Sequence, residues 1–169
     1  MSEFSASSPA MARLFEEVDL ASVPQSSIGQ DAWLFWRSQR DGELMASSSR
    51  LIQHLPAELF PFGFLFSIDE VTGDYVVTWA GHKAFAGLAR KGAGTHLEAF
   101  DNRRLAARFR LVLNLVKSRG EPVTVRFGVK FVDGKKGDAE LFIAPAATEE
   151  ENKLQFFGCL ASRREQSTW

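Results

Sequence analysis

Val123-Thr124-Val125-Arg126-Phe127-Gly128-Val129-Lys130-Phe131 is the stretch that decides the fold. Apolar residues hold every odd position; Thr, Arg, Gly and Lys hold the even ones. A period of two over this length is that of a strand with one face buried and one face open. Working outward, residues 101–118 place Leu105, Phe109, Val112 and Val116 in one stripe at helical spacing. Asp101 is positioned to cap this helix, Lys117 and Arg119 suit its end, and Gly120 can terminate it. After the decisive strand, residues 133–137 make a charged turn and residues 138–144 pair back. Pro145 is expected to end that strand, because it cannot donate to a ladder. An acidic turn at 148–153 leads to a last strand at 154–161, and residues 162–169 form a polar tail.

The 169 residues suit one domain with a short extension, long enough to bury a core. Fifteen are Phe, so the interior is ring-rich. The net charge of −1 gives no basic footprint for nucleic acid. With the single cysteine Cys159, no intrachain disulfide can form, which fits a reducing cytoplasm. No apolar run is long enough to span a bilayer. The first nine residues lack the charged and apolar regions of a signal peptide, so a cytoplasmic, non-membrane protein is expected.

Upstream, residues 1–26 read as a flexible extension. Within it, residues 9–20 can form a short amphipathic helix, with Met11, Leu14, Phe15 and Val18 on one face that needs a partner. A second helix is expected from a capping box at Ser27 and Gln30. It carries Trp33, Leu34, Phe35 and Trp36 and stops at Asp41-Gly42. Residues 62–68 and 75–80 read as two strands joined by a turn with Thr72-Gly73-Asp74. Short helical stretches follow at 81–89 and 95–100, the second with a possible capping box of Thr95 and Glu98. Two strands, several short helices, one long helix and three antiparallel strands make an α+β layout.

That order resembles the PAS domain, a small sensory fold, over roughly residues 31–161. It is most similar to a branch of short, mostly single-domain PAS proteins found especially in proteobacteria. Trp36-Arg37 and Gly42-Glu43-Leu44 resemble that branch's leading helix and Gly-x-Leu loop. Leu55-Pro56 through Pro61-Phe62-Gly63-Phe64 resembles its approach to the first strand. Thr78-Trp79-Ala80-Gly81-His82 resembles its Leu-Ala-Gly-Thr, with Trp79 and His82 in place of Leu and Thr. Gly94-Thr95-His96-Leu97, Gly120-Glu121-Pro122-Val123 and Glu140-Leu141-Phe142-Ile143 follow in order. The resemblance implies a five-stranded antiparallel sheet with helices on one face, plus an N-terminal helical extension. The PAS-like domain covers residues 27–161.

A PAS fold implies space between sheet and helices for a small molecule. The candidates for lining it are Trp79, His82, Phe85, His96, Phe109, Phe127 and Phe142. Aromatic residues at strand and helix spacing are more often plain core. Haem is disfavoured, because the long helix has no His to serve as axial ligand. A photoactive flavin is disfavoured, because its Cys-containing motif is absent and Cys159 reads as a buried strand residue. Cofactor identity stays unknown. Three scattered His residues and one Cys make no metal site. Arg126 and Lys130 read as a solvated strand face.

The expected function is a non-enzymatic sensory or regulatory module in bacterial signal transduction. It would act through a small-molecule ligand, protein contacts, or both, as a homodimer with a signalling partner. Met11, Leu14, Phe15, Val18, Trp33 and Trp36 are the candidates for the dimer or partner surface, with the outer sheet face as a second surface. Two alternatives stand beside this: a ligand-free constitutive adaptor, and a small cone-fold enzyme. The enzyme needs an acid or base inside a cavity; Asp74, Asp101 and Glu140 sit at element ends or on a polar face, so no catalytic residue is assigned.

Overall fold

The computed structural model describes residues 18–21, 23–85, 94–131, 133–149 and 151–164. Its elements in chain order are β1 (Val18–Ala21), α1 (Ser27–Gln39), β2 (Ala46–Ser47), α2 (Ser48–His54), β3 (Gly63–Ile68), β4 (Tyr75–Ala80), α3 (Arg103–Arg119), β5 (Val123–Lys130), β6 (Lys136–Ala147) and β7 (Leu154–Arg164). Short 3-10 turns at Phe60–Phe62 and Leu97–Ala99 complete them. One sheet runs β1-β5-β6-β7-β3-β4, and β2 pairs with the end of β6. The five strands expected from the sequence are all present and pair antiparallel in the order β5-β6-β7-β3-β4. The architecture is PAS-type α+β.

Local chemistry explains the elements. In α3 the buried stripe of Leu105, Phe109, Val112 and Val116 faces the sheet. The cap, however, is Asn102, not Asp101: its Oδ1 accepts from Leu105 N at 3.0 Å. Gly120 ends the helix at φ 68, where a Cβ would be strained. The β3–β4 turn closes through Asp69, whose Oδ1 accepts from Val71 N at 2.9 Å, with Gly73 at φ 76. The cap of α1 is Ser26 instead of Ser27; its Oγ accepts from Gly29 N at 2.9 Å. Before the Leu97–Ala99 turn no side-chain cap forms, so the Thr95–Glu98 box is absent. The expected helix at 81–89 is a turn over residues 82–85, and its remainder lies outside the described residues.

Three boundaries differ from the sequence reading. First, Val18–Ala21 is not helical: it pairs antiparallel with β5, Val18 opposite Phe127 and Ala21 opposite Thr124. The rest of the expected amphipathic helix, with Met11, Leu14 and Phe15, lies outside the described residues. Second, β6 runs straight through Pro145 to Ala147. β5 pairs with β6 only as far as Ile143, so the Pro145 edge has no β5 neighbour. Its carbonyl, which lies on the same edge as its nitrogen, accepts from Trp36 Nε1 at 2.8 Å. A missing N–H is harmless there. Third, β7 continues to Arg164, so part of the expected tail is strand.

The largest difference concerns the layers. The helices were expected on one face, but both faces are covered. On the inner face, α3 packs over Phe64, Phe66, Val125, Phe127, Leu141, Ile143 and Phe156. On the outer face, α1 and α2 bring Ala32, Phe35, Trp36 and Leu51 onto Leu65, Phe142, Ala144, Phe157 and Cys159. The β6 segment from Ala139 to Ala146 is consequently buried at every position. Continuous burial on both faces replaces the inside–outside alternation of a one-sided sheet.

Candidate functional site

The seven residues expected around one cavity fall on different surfaces. Phe85, Phe109 and Phe127 belong to the inner cluster. Phe142 and, partly buried, Trp79 belong to the outer one. Trp79 packs edge-on against Phe60, centroids 5.1 Å apart. His82 is exposed. The half-buried His96 reaches Asp69 Oδ2 with Nε2 at 2.7 Å. Among the described residues the inner rings touch one another. Phe109 lies 5.4 Å from Phe64, 5.6 Å from Phe66 and 5.7 Å from Phe85. Phe85 continues to Phe100 at 5.3 Å. Phe127 is roofed by the Arg108 guanidinium, 4.9 Å from its centroid.

The partner candidates also divide. Trp36 is 3% exposed, packed on the protein's own sheet and hydrogen-bonded to Pro145. Trp33 is partly buried against the same cluster, with the Arg37 guanidinium 4.5 Å above its ring. The outer face that was expected to be open lies largely beneath α1.

The residue that sequence reasoning misplaced is Glu140. It sits in β6 on the outer face, and its side chain is 1% exposed. Its carboxylate receives the chain entering α1: Gln25 N donates to Oε2 at 2.8 Å, and Ser26 N and Oγ donate to Oε1 at 3.0 and 2.6 Å. Arg126, opposite it in β5, holds its Nε 4.0 Å from Oε2. Gly29 makes this approach possible: a Cβ there would lie 2.5 Å from Oε1. Ser26 serves both sides, donating to Glu140 and accepting from Gly29 N. The segment β1–α1 is thus an N-terminal arm, paired to the sheet edge through β1 and fastened to the outer face through the buried Glu140 carboxylate at its start and the Trp36–Pro145 hydrogen bond further along. Buried charge is costly unless fully hydrogen-bonded, which these three donors achieve. The signal available in the sequence was the apolar run Leu141-Phe142-Ile143-Ala144: a strand apolar at consecutive positions is covered on both faces, and Glu140 stands at its border.

Remaining polar groups are locally engaged. Burial pushes the Asp74 carboxyl up, but the Arg110 guanidinium at 2.7 Å and the amide of Glu98 outweigh it, leaving the group below its ordinary value. The His96 hydrogen bond holds Asp69 low. Burial raises the Tyr75 hydroxyl, which donates to Asn114 Oδ1 at 2.5 Å. Burial pushes the Cys159 thiol up to about 12. Asp101 is exposed and accepts from Asn102 N. Asp74 pairs with α3 on the inner side, while Glu140 lies on the outer face, so the three acids considered for an enzyme do not meet. Among the described residues no group of three or more His, Cys, Asp or Glu could hold a metal ion. No described helix is long and apolar enough to cross a membrane.

No family model matches the chain, and no curated protein matches it. Among solved structures, it is similar to a light-oxygen-voltage domain whose mechanism was probed with a flavin analogue. That likeness is at 18% identity over 69% of this chain and 84% of that one, TM-score 0.41. It is also similar to an RNA-binding light-oxygen-voltage receptor, at 14% identity over 85% of this chain and 37% of that one, TM-score 0.42. Overlaps this loose carry no functional argument. The fold stands on the sheet itself: five antiparallel strands with α3 between the second and third of them give this chain the PAS-type fold that its order of motifs resembles.

Proposed function

We propose that this chain is a non-enzymatic regulatory PAS module of signal transduction whose output element is the N-terminal arm. The observation that supports this is the Glu140 fastening. A cover helix held only for stability needs no buried carboxylate, since apolar residues of similar volume hold such an interface equally well. Directional polar fastenings, Gln25 and Ser26 on Glu140 and Trp36 on the Pro145 carbonyl, instead specify one docked position, as a two-state element requires. When the arm lifts, Leu65, Phe142 and Phe157 on the outer face lose their cover. An apolar patch of this kind seeks a partner, and a second copy of the chain, giving a homodimer, is the partner we assign. Whatever biases the arm, a ligand or a signalling protein, would act through this docked–undocked equilibrium.

Hydrogen exchange and light-scattering chromatography on wild type and Glu140→Ala test the reading. The expected result is loss of amide protection confined to residues 23–39, with α3 and β3 unchanged, and a shift to a larger assembly. Protection lost evenly across the core, at unchanged mass, would make Glu140 a plain stability residue and remove the arm from the output.

A second reading, a constitutive adaptor with a filled interior, is favoured by the mutual contacts of the inner rings. Native against denatured mass spectrometry, with an absorption spectrum, separates the two: a co-purified molecule would exclude the adaptor.

A further inference from the structure

The chain contains two Asp-Gly steps, Asp41-Gly42 and Asp133-Gly134. Such a step is prone to intramolecular chemistry, because glycine has no side chain to keep its own amide nitrogen from the preceding carboxyl. The two steps differ in what the fold does with that nitrogen.

Asp41-Gly42 follows the end of α1. The Glu43 amide donates to the Arg40 carbonyl at 2.9 Å, closing a turn over this pair. Both central residues have positive φ, 51 for Asp41 and 84 for Gly42. That is the turn geometry for which Asp-Gly is a favoured pair. Its only internal hydrogen bond joins the outer residues, and the Gly42 amide donates to no described residue. A Cβ on Gly42 would meet nothing within 4 Å, so the space around the step is open. The Asp41 side chain is 75% exposed, and its carboxylate accepts from Arg50 Nη1 at 3.1 Å. An exposed pair of this kind contributes little and opens readily.

Asp133-Gly134, in the β5–β6 hairpin turn, is engaged on both sides. Gly134 N donates to the Phe131 carbonyl at 2.9 Å. The Asp133 carboxylate accepts from Lys135 N at 2.9 Å and from Arg164 Nη2 at 3.1 Å. The Lys135 amide, more than the Arg164 guanidinium, holds this carboxyl below its ordinary value, which depletes the neutral form that a nucleophile attacks.

We propose that Asp41-Gly42 is a site of spontaneous covalent modification, at which Asp41 isomerises to isoaspartate, while the turn at Asp133-Gly134 protects the second step. The Gly42 nitrogen gives up its proton and attacks Asp41 Cγ. An N–Cγ bond forms, one carboxyl oxygen leaves as water, and a cyclic succinimide results. Water then opens the ring. Cleavage at the main-chain carbonyl of Asp41 leaves the chain running through Cγ, which is isoaspartate; cleavage at Cγ restores aspartate. The water lost in closure returns in opening, so no oxidant, reductant or further reactant is required. The product adds a carbon to the backbone and moves the carboxylate onto Cα. The Arg40–Glu43 turn and the Arg50 pair, which tie the end of α1 to α2, are broken by that change. The assignment does not depend on the arm's role.

Ageing of the full chain in mildly acidic buffer tests it. Peptide mapping with electron-transfer fragmentation locates the product, and methyl transfer by an isoaspartate-directed carboxyl methyltransferase counts it. Folded protein is expected to accumulate isoaspartate at Asp41 about tenfold or more faster than at Asp133, the factor for opening one or two ordinary hydrogen bonds. In denaturing urea both turns are gone, so the two rates are expected to converge. Equal rates in the folded protein, a faster Asp133, or a ratio that persists in urea would overturn the proposal.

Discussion

Gly29→Ala separates helix propensity from the fastening of the arm. Gly29 lies in the first turn of α1, where Ala is ordinarily favoured over Gly by about 1 kcal/mol. Propensity alone therefore expects the variant to be more stable. The structure expects the opposite sign. The new Cβ would lie 2.5 Å from Glu140 Oε1, 2.8 Å from Pro24 Cβ and 2.8 Å from Ser26 Oγ. Glu140 is the end of a flexible chain, but its Oε1 accepts from both the amide and the hydroxyl of Ser26. Moving it weakens two bonds to a charged acceptor, each worth roughly 1.5–3 kcal/mol. After the propensity gain, a net loss of up to about 2–5 kcal/mol remains. For a chain of this length that lowers the melting temperature by about 4–20 °C. Urea unfolding followed by circular dichroism measures it, and hydrogen exchange locates the loss in α1. In a Glu140→Ala background the same substitution is expected to cost much less, because the closest clash is gone. A stabilised Gly29→Ala protein, or an equal loss in both backgrounds, would refute the close packing of Gly29 on the carboxylate.

Two further outcomes follow from the same geometry. Cys159 is 1% exposed beneath α1 with its thiol pushed up to about 12, so a disulfide-exchange reagent at pH 8 is expected to label it only after denaturant is added; rapid native labelling would contradict the docked outer face. Asp74 has a folded-state carboxyl held below its unfolded value, so its stabilising contribution is present above the unfolded carboxylate range and is lost as pH falls through the folded-state value. Arg110→Gln is therefore expected to destabilise more at pH 7 than at pH 2.5, measured by urea midpoints; a larger effect at the acid end would reverse the assignment.

Much of the fold is local and was legible. The helical stripe from Leu105 to Val116, the turn glycines Gly73 and Gly120, and the alternation from Val123 to Phe131 each declare an element within a few residues, because backbone sterics and side-chain period act at that range. Where neighbouring residues compete for one role, pattern fails by a position: Asn102 caps α3 instead of Asp101, and Ser26 caps α1 instead of Ser27. Larger misreadings involve partners remote in sequence. Pro145 persists in β6 because Trp36, 109 positions away, takes its carbonyl. Val18 is in a strand because β5 offers an edge.

The candidate site belongs wholly to this second kind. A glutamate in a strand reads as solvent-facing, since ionised groups avoid burial without partners. The partners of Glu140 are Gln25 and Ser26, more than a hundred positions earlier, and they arrive only when α1 crosses the outer face. By itself the sequence determined the five core strands, the long helix and the α+β class, all products of short-range periodicity. Tertiary structure alone decided that both sheet faces are covered, that the ring-bearing candidates lie on opposite sides, and that a buried carboxylate receives the start of α1. Those facts depend on which distant surfaces meet, and burial and hydrogen bonding are properties of the meeting, not of either segment.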